Sequence, residues 1–314
     1  MLDDIRATFK EHMAANGVNI EGMPIADGKM HNVPAVGKRR NNNRHAYYVL
    51  YADGTPAGIY GDHQLGIQGK WRGEGSCEVD ISAIKEKAAE REEERRKLAS
   101  EVANKSSRMF TFLKRLPLPH RHPYIVKKGI YATKMVRSAQ SDLDAGIFKI
   151  YKGGLVIPMY KTSGDIVGLQ SIYPNGKKYF STGVDKVGSY HPITGTRWPA
   201  SKVLFIAEGW ATAATINQVT GVSVAAAFDA GNLMPVAKAL RGRYPQARII
   251  IAADIDHEST SGSIENPGVH FATLAAQEVG ARVCYPILEV GSDFNDLLIE
   301  KGAEEVIKQL TRDK

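Results

Sequence analysis

Apolar residues recur at helical spacing near the start of the chain, at Leu2, Ile5, Phe9 and Met13, which predicts a short amphipathic helix over residues 1 to about 16. The period then shortens to that of strands. Tyr47 to Tyr51 and Ala57 to Tyr60 flank Asp53-Gly54-Thr55-Pro56, a strand-turn-strand pattern with Asp-Gly at the turn. Trp71 and the Gly-rich run to Gly75 close a small β-rich module over 1–78. Asp80 suits a helix N-cap, and beyond it Glu92/Arg96 and Glu93/Lys97 stand at i,i+4 spacing among few apolar residues. A solvated connecting helix over 79–104 is expected there.

A second β-rich region follows, within 105–200. Gly154 to Tyr160, Ile166 to Tyr173 and Lys177 to Phe180 are joined by Ser163-Gly164-Asp165 and Pro174-Asn175-Gly176, as in an antiparallel meander. From residue 201 the texture changes again. Val203 to Ala207, Val222 to Ala226, Arg248 to Ala253 and Arg282 to Tyr285 are short, nearly all-apolar strands separated by helical stretches, with C-terminal helices after Phe294. Strands without a polar face, alternating with helices, predict a parallel sheet covered on both sides.

Composition narrows the class without naming a function. Hydrophobic residues make up 43% and charged residues 24%, which excludes wholesale disorder and fibrous repeats. No stretch approaches the ~18 apolar residues of a membrane span, and Met1-Leu2-Asp3-Asp4 lacks a signal-peptide pattern, so a cytoplasmic protein with no membrane association is expected. The only cysteines, Cys77 and Cys284, can build neither a disulfide framework nor a four-cysteine zinc site.

The net charge of +7 is unevenly spread. Gly28 to Ala52 holds five Lys/Arg and Ala103 to Ser141 holds nine, neither with a carboxylate, so the rest of the chain is net negative. Tyr47, Tyr48, Phe110, Phe112 and Tyr124 are interleaved with these basic segments, a composition suited to nucleic acid; a solvated face is the plainer alternative for either segment alone.

In an open parallel sheet, ligands sit outside the carboxyl ends of the strands. The first strand runs into Glu208-Gly209, the glycine being read as the device for a tight turn; the third runs into Asp254-Ile255-Asp256; and Asp293 and Asp296 follow the fourth. Asp254 and Asp256, two apart, project to one side of an extended segment. Gathered carboxylates repel unless protonated or bridged by cations, and hard oxygens favour Mg2+ or Mn2+, as phosphodiester and nucleotidyl chemistry requires. Each acid taken alone also suits an N-cap or a turn.

Phe205-Ile206-Ala207-Glu208-Gly209 with Ile249 to Asp256 resembles the Toprim domain, and in particular the Toprim DNA primases of plasmids, phages and other mobile elements. Gly291 to Leu297 is similar to that domain's last acidic segment. His122 to Ile130, Leu155 to Pro158 and Lys178 to Phe180 are similar to the basic half of the primase core. The resemblance covers roughly 105–312, with a looser match over 30–75. It implies an α+β multidomain fold: a C-terminal Toprim Rossmann-like α/β parallel sheet over 201–314, preceded by the basic β-rich subdomain over 105–200 and the small N-terminal β-rich module.

By the same resemblance Glu208 is the general base, and Asp254, Asp256 and Asp293 hold Mg2+ or Mn2+. Lys127, Lys128, Lys178, Arg121, Lys114 and Arg115 meet nucleic acid or nucleotide. The implied activity is synthesis of short primers on a single-stranded DNA template from nucleoside triphosphates. No P-loop occurs, so unwinding is expected from a separate replicative helicase.

The chain departs from the fullest family pattern at three places. Thr212 and Asn295 stand where further acids are usual, which implies weaker metal binding. The front module sits where relatives carry a zinc ribbon, yet it has no cysteine before Cys77, so no zinc is expected. Of the histidines, only His120-Arg121-His122 are close-set, with no third ligand at useful spacing. A Toprim metal-dependent nuclease and a non-catalytic single-stranded-DNA-binding accessory protein remain alternative readings.

Overall fold

The computed structural model describes residues 2–34, 46–52, 55–62, 67–73, 81–193, 202–255 and 266–312, with side chains in 81–88 excepted. Asp256, Cys77, Asp80, the Asp53-Gly54 turn and four of the five basic residues between Gly28 and Ala52 lie outside them. The chain divides into two compact units, one of 1–93 with 258–265 and one of 94–257 with 266–314. Among the described residues no helix is long and apolar enough to cross a membrane.

In the first unit, α1 (Leu2–Ala15) covers a four-stranded antiparallel sheet of β1 (His31–Val33), β2 (Ala46–Tyr51), β3 (Ala57–Asp62) and β4 (Ile67–Arg72), in that order. The helical stripe holds in its C-terminal part, where Phe9 and Met13 are fully buried, while Leu2 is exposed. Phe9 sits among Tyr48, Tyr60 and Trp71 with ring centroids 5.3–6.1 Å apart. Three aromatic neighbours at offset angles thus surround Phe9 in this small core.

Helix α2 (Ile81–Leu113) continues past the expected end at residue 104. Its middle is exposed, as the sparse apolar pattern requires, but Val102, Phe110 and Leu113 are buried against Val156 and Leu169. The short helix α3 (Pro123–Lys128) follows. Two short strands, β6 (Leu143–Asp144) and β7 (Lys149–Ile150), pair as a ribbon. The expected meander is present as an antiparallel sheet of β10 (Lys178–Phe180), β9 (Ile166–Ile172), β8 (Leu155–Tyr160) and β5 (Arg137–Ser138).

The C-terminal sheet has the order β11-β13-β12-β14-β15. Strands β12 (Val203–Ala207), β13 (Ser223–Ala226), β14 (Arg248–Ala252) and β15 (Arg282–Cys284) are parallel, whereas β11 (His191–Ile193) joins the edge antiparallel to β13. The helices are α4 (Trp210–Thr220), α5 (Leu233–Arg243), α6 (Pro267–Val279) and α7 (Phe294–Thr311), the last interrupted at Gly302 with φ 82°. Alternation along each strand feeds two cores. Phe205, Ala207, Ile250 and Ala252 pack with Trp210 of α4 and Phe294 of α7, while Leu204, Ile206, Ile249 and Ile251 pack with α5 and α6. Each buried Leu, Ile or Phe among them contributes roughly 1.5–3 kcal/mol, and each alanine less. The first core also takes in Leu155, Ile157, Met159 and Ile172 of β8 and β9, so the meander and the parallel sheet share one interior.

The interleaved aromatics need correction. Tyr47, Tyr48, Phe110 and Tyr124 are buried, and of the five only Phe112 is exposed. The buried four build cores; besides Phe112, exposed rings stand at Tyr131 in the same basic segment and at Tyr151 and Tyr179 beyond it.

Candidate active site

From β12 the chain crosses to β13 on one side and returns to β14 on the other, so the crevice between their carboxyl ends lies at β12 and β14. Glu208 follows β12, and Asp254 follows β14 by one residue. A cavity of about 240 Å³ opens there, lined by Glu208, Asp254, Asp293, Lys127, Lys128 and Lys178, together with Tyr124, Thr212 and Phe228. Six of the ten residues singled out in the sequence thus converge on one space. Arg121, Lys114 and Arg115 are exposed outside it, and Asp256 is outside the described residues.

Each acid is held by the strand-to-helix turn that carries it. The Phe228 amide donates to the Glu208 carbonyl at 2.7 Å, tying the end of β12 to the end of β13. Asp254 is partly buried with Oδ1 shielded from solvent, and the next amide, Ile255, donates to Ser292 O at 2.7 Å. Asp293 is the N-cap of α7: its Oδ1 accepts from the amides of Asn295 and Asp296, both at 2.8 Å, which leaves Oδ2 outside the cap. The N-cap alternative therefore describes Asp293, without removing it from the cavity wall.

The lysines come from the β-rich half. His122 caps α3, its Nδ1 accepting from the Tyr124 amide at 3.2 Å and its Nε2 donating to Gly153 O at 2.8 Å. Both ring nitrogens of His122 are thus engaged in the fold. The last turn of α3 presents Lys127 and Lys128, and Lys128 Nζ lies 3.4 Å from Asp296 Oδ1. Lys178 begins β10 after the Pro174-Asn175-Gly176 turn, where Gly176 takes φ 84°.

Two expectations about particular residues change. Gly209 has φ −87° and ψ 151°, open to any residue, and a Cβ there would first meet Thr212 Oγ1 at 3.6 Å. Its role is a bare stretch of cavity wall rather than a tight turn. Asn295 does not line the cavity: it is fully buried, with Nδ2 donating to Lys128 O at 2.7 Å and Thr215 Oγ1 at 2.9 Å. It ties α3 and α4 to α7, so its effect on a bound cation is indirect.

The sequence reading missed Phe228 as a site residue and placed Tyr124 only as an aromatic of the basic segment. Phe228 is one of two described non-glycine residues with positive φ, at 77°, and its ring meets Phe180 edge-on at 5.9 Å. The strand-end rule points to it, since it follows β13. The Tyr124 phenol is pushed up to about 12 by burial, reinforced by the charges of Asp293 and Asp296. It stays a neutral hydrogen-bonding group at the cavity wall.

Three carboxylates face three ammonium groups in this space, a combination that suits a polyphosphate with its cation. Among the described residues no three His, Cys, Asp or Glu form a ready metal cage. Mg2+ seldom asks for one: it commonly takes one or two protein carboxylates, with water and substrate phosphates completing the shell. The hard oxygens of Glu208, Asp254 and Asp293, one of them already withdrawn from solvent, fit that demand.

Residues 203–304 match the Toprim domain. Two proteins of Escherichia coli, both named DNA primase TraC, are similar: one is 34% identical over 90% of this chain and 19% of its own length, the other 31% over 86% and 25%. The chain thus spans a quarter or less of these relatives. Among solved structures, a DnaG primase catalytic domain bound to single-stranded DNA aligns over 68% of this chain and 78% of its own, at 14% identity and a TM-score of 0.48. An Aquifex aeolicus primase, comprising zinc-binding and RNA polymerase domains, aligns over 98% of this chain and 84% of its own, at 14% identity and a TM-score of 0.47. Residues 203–304 are thus similar to the Toprim domain, in a chain similar over nine-tenths of its length to a DNA primase.

Proposed function

We propose that this chain is a DNA primase, joining nucleoside triphosphates into short primers on a single-stranded DNA template. The observation that carries this reading is the convergence of Glu208, Asp254 and Asp293 with Lys127, Lys128 and Lys178 around one cavity at the strand ends. Similarity to DNA primase TraC over most of the chain supports it.

In this reading the 3′-oxygen of the growing primer attacks the α-phosphorus of the incoming nucleotide, and the bond to the leaving pyrophosphate breaks. Glu208 takes the hydroxyl proton as general base. Lys127, Lys128 and Lys178 hold the triphosphate as point charges. Asp254 and Asp293, with Asp256, would hold Mg2+ or Mn2+, which would supply positive charge to the triphosphate and acidify the attacking hydroxyl. Zinc has no part in this chemistry, a separate helicase opens the duplex, and the reaction belongs to the cytoplasm.

The test incubates the protein with single-stranded circular DNA, labelled nucleotides and Mg2+ or Mn2+. Short, metal-dependent products are expected, falling by roughly 10²- to 10⁴-fold in Glu208→Gln, the range for loss of a general base. Asp254→Asn is expected to lose them as well. Nicked DNA without products would favour a nuclease, and bound but intact DNA an accessory protein; either result overturns the reading.

A further inference from the structure

The β9–β10 turn and β10 separate two cavities. Gly176 and Lys178 line the acidic one, whereas Asn175, Lys177 and Tyr179 line a second of about 560 Å³. Side chains of successive strand residues point to opposite faces, which sends Lys178 and Tyr179 at the start of β10 into different spaces.

The second cavity is aromatic. Phe148, Tyr151, Tyr173 and Tyr179 line it, with Lys149 and Lys177. Tyr151 and Tyr179 are 57% and 55% exposed, so their faces are open to a ligand rather than spent on the core. The rings are held in place: the Tyr151 amide donates to Tyr173 Oη at 2.8 Å, and Tyr173 meets Tyr179 edge-on with centroids 5.8 Å apart. Lys149 Nζ stands 5.4 Å from the Tyr151 ring centre. Its contacts to Asp142 and Asp144, both 3.9 Å between half-exposed groups, are too weak to cancel its charge. Lys177 has no ion pair among the described residues.

Open aromatic faces beside lysines are the physical requirement for binding single-stranded nucleic acid, because every base has a π-face and every nucleotide a phosphate. We propose that this cavity stacks an unpaired base of the single-stranded template, next to the site where nucleotides are joined. The proposal rests on the nucleic-acid reading of the acidic cavity and adds to it a separate seat for the strand. A mononucleotide held by its phosphates at Lys127, Lys128 and Lys178 occupies one face of the hairpin. Engaging both faces takes a chain longer than one nucleotide, which selects the template over the incoming triphosphate. The edge-on pair of Phe180, which lines the aromatic cavity, and Phe228, which lines the acidic one, connects the two spaces by direct contact.

The experiment measures binding of the full chain to two fluorescent strands of equal length and charge, oligodeoxythymidylate and one carrying abasic sites, by anisotropy. The wild type is expected to prefer the base-bearing strand by about tenfold, within the range of one to two stacked bases. The double variant Tyr151→Ala with Tyr179→Ala should lose the preference and keep its affinity for the abasic strand. Tyr151→Phe with Tyr179→Trp should retain the preference. Glu208→Gln should retain it too while losing synthesis, so a failure of the primase reading is told apart from a failure of this one. Equal affinities for the two strands in the wild type would overturn the proposal. So would a double alanine variant that keeps the preference, or one that weakens both strands equally.

Discussion

The two halves of the larger unit supply opposite charges to one cavity and hold them by different means. The parallel sheet supplies carboxylates from the turns that leave its strands, so Glu208 and Asp254 are fixed by the backbone register of β12 and β14, which pair from Val203↔Arg248 to Ala207↔Ala252. The β-rich half supplies amines from a six-residue helix and a hairpin, fixed by polar ties: the His122 cap, the Asn295 amide and the Gly176 turn. A position at the end of a buried parallel strand inherits the rigidity of the sheet. One on α3 depends on a few hydrogen bonds, and those are where the site can be loosened without unfolding the chain.

The seam between the halves offers the largest effect on stability. His191 on β11 is fully buried, its Nδ1 donates to Pro158 O of β8 at 2.9 Å, and its Nε2 is buried without a hydrogen-bond partner. Burial lowers its pKa from 6.5 to about 4, partly offset by the bond to Pro158. Between those values the unfolded chain binds the proton and the fold does not, so this residue makes stability fall as pH drops through 6.5 towards 4. The loss amounts to about 3 kcal/mol. Urea unfolding at pH 7 and at pH 4.5 should show a steeper loss in the wild type than in His191→Asn, which keeps a donor for Pro158. Equal slopes would mean that His191 does not govern acid stability.

A smaller effect is expected where α3 is tied to the sheet. Asn295→Ala removes both bonds from Nδ2 and leaves Lys128 O and Thr215 Oγ1 without their donor. Leaving buried polar groups unsatisfied costs about 1–3 kcal/mol. Because the freed carbonyl belongs to Lys128, the apparent KM for nucleoside triphosphate should also rise, with a smaller change in kcat. Asn295→Asp supplies the acid of the fuller family pattern but no donor, and it should weaken the fold too. An unaltered KM in a destabilised variant would show that Lys128 is positioned independently of this tie.

How much could be read without coordinates follows the same division. The parallel strands were legible because burial on both faces leaves an apolar run, and the acids because they follow such runs. Strand β11 was hidden: three residues including Pro192 carry no period, and only the pairing with β13 defines them. Helix α3 is also too short for a period, its signals being His122 and Pro123 at its start. The tyrosines misled because a ring suits a core and a base-stacking surface equally well. Tyr48 and Tyr179 differ in whether other elements cover them, which is a tertiary fact. The strained backbone of Phe228 had no local signal at all.

The smallest effect separates backbone need from cavity shape at two glycines that line the same space. Gly176 has φ 84° and a Cβ there would meet nothing within 4 Å, so Gly176→Ala suffers only the left-handed backbone penalty, about 1 kcal/mol. Gly209 has φ −87°, and its first neighbour would be Thr212 Oγ1 at 3.6 Å. Gly209→Ala should therefore leave the fold unchanged, or more stable by less than about 1 kcal/mol through restriction of the unfolded chain. Its methyl group would still stand in the cavity wall beside Glu208, so primer synthesis should fall while the melting temperature holds. Thermal unfolding and synthesis measured on both variants give the comparison. If Gly209→Ala melted below Gly176→Ala, the glycine after Glu208 would serve the turn after all, and the bare-wall role assigned to it would be wrong.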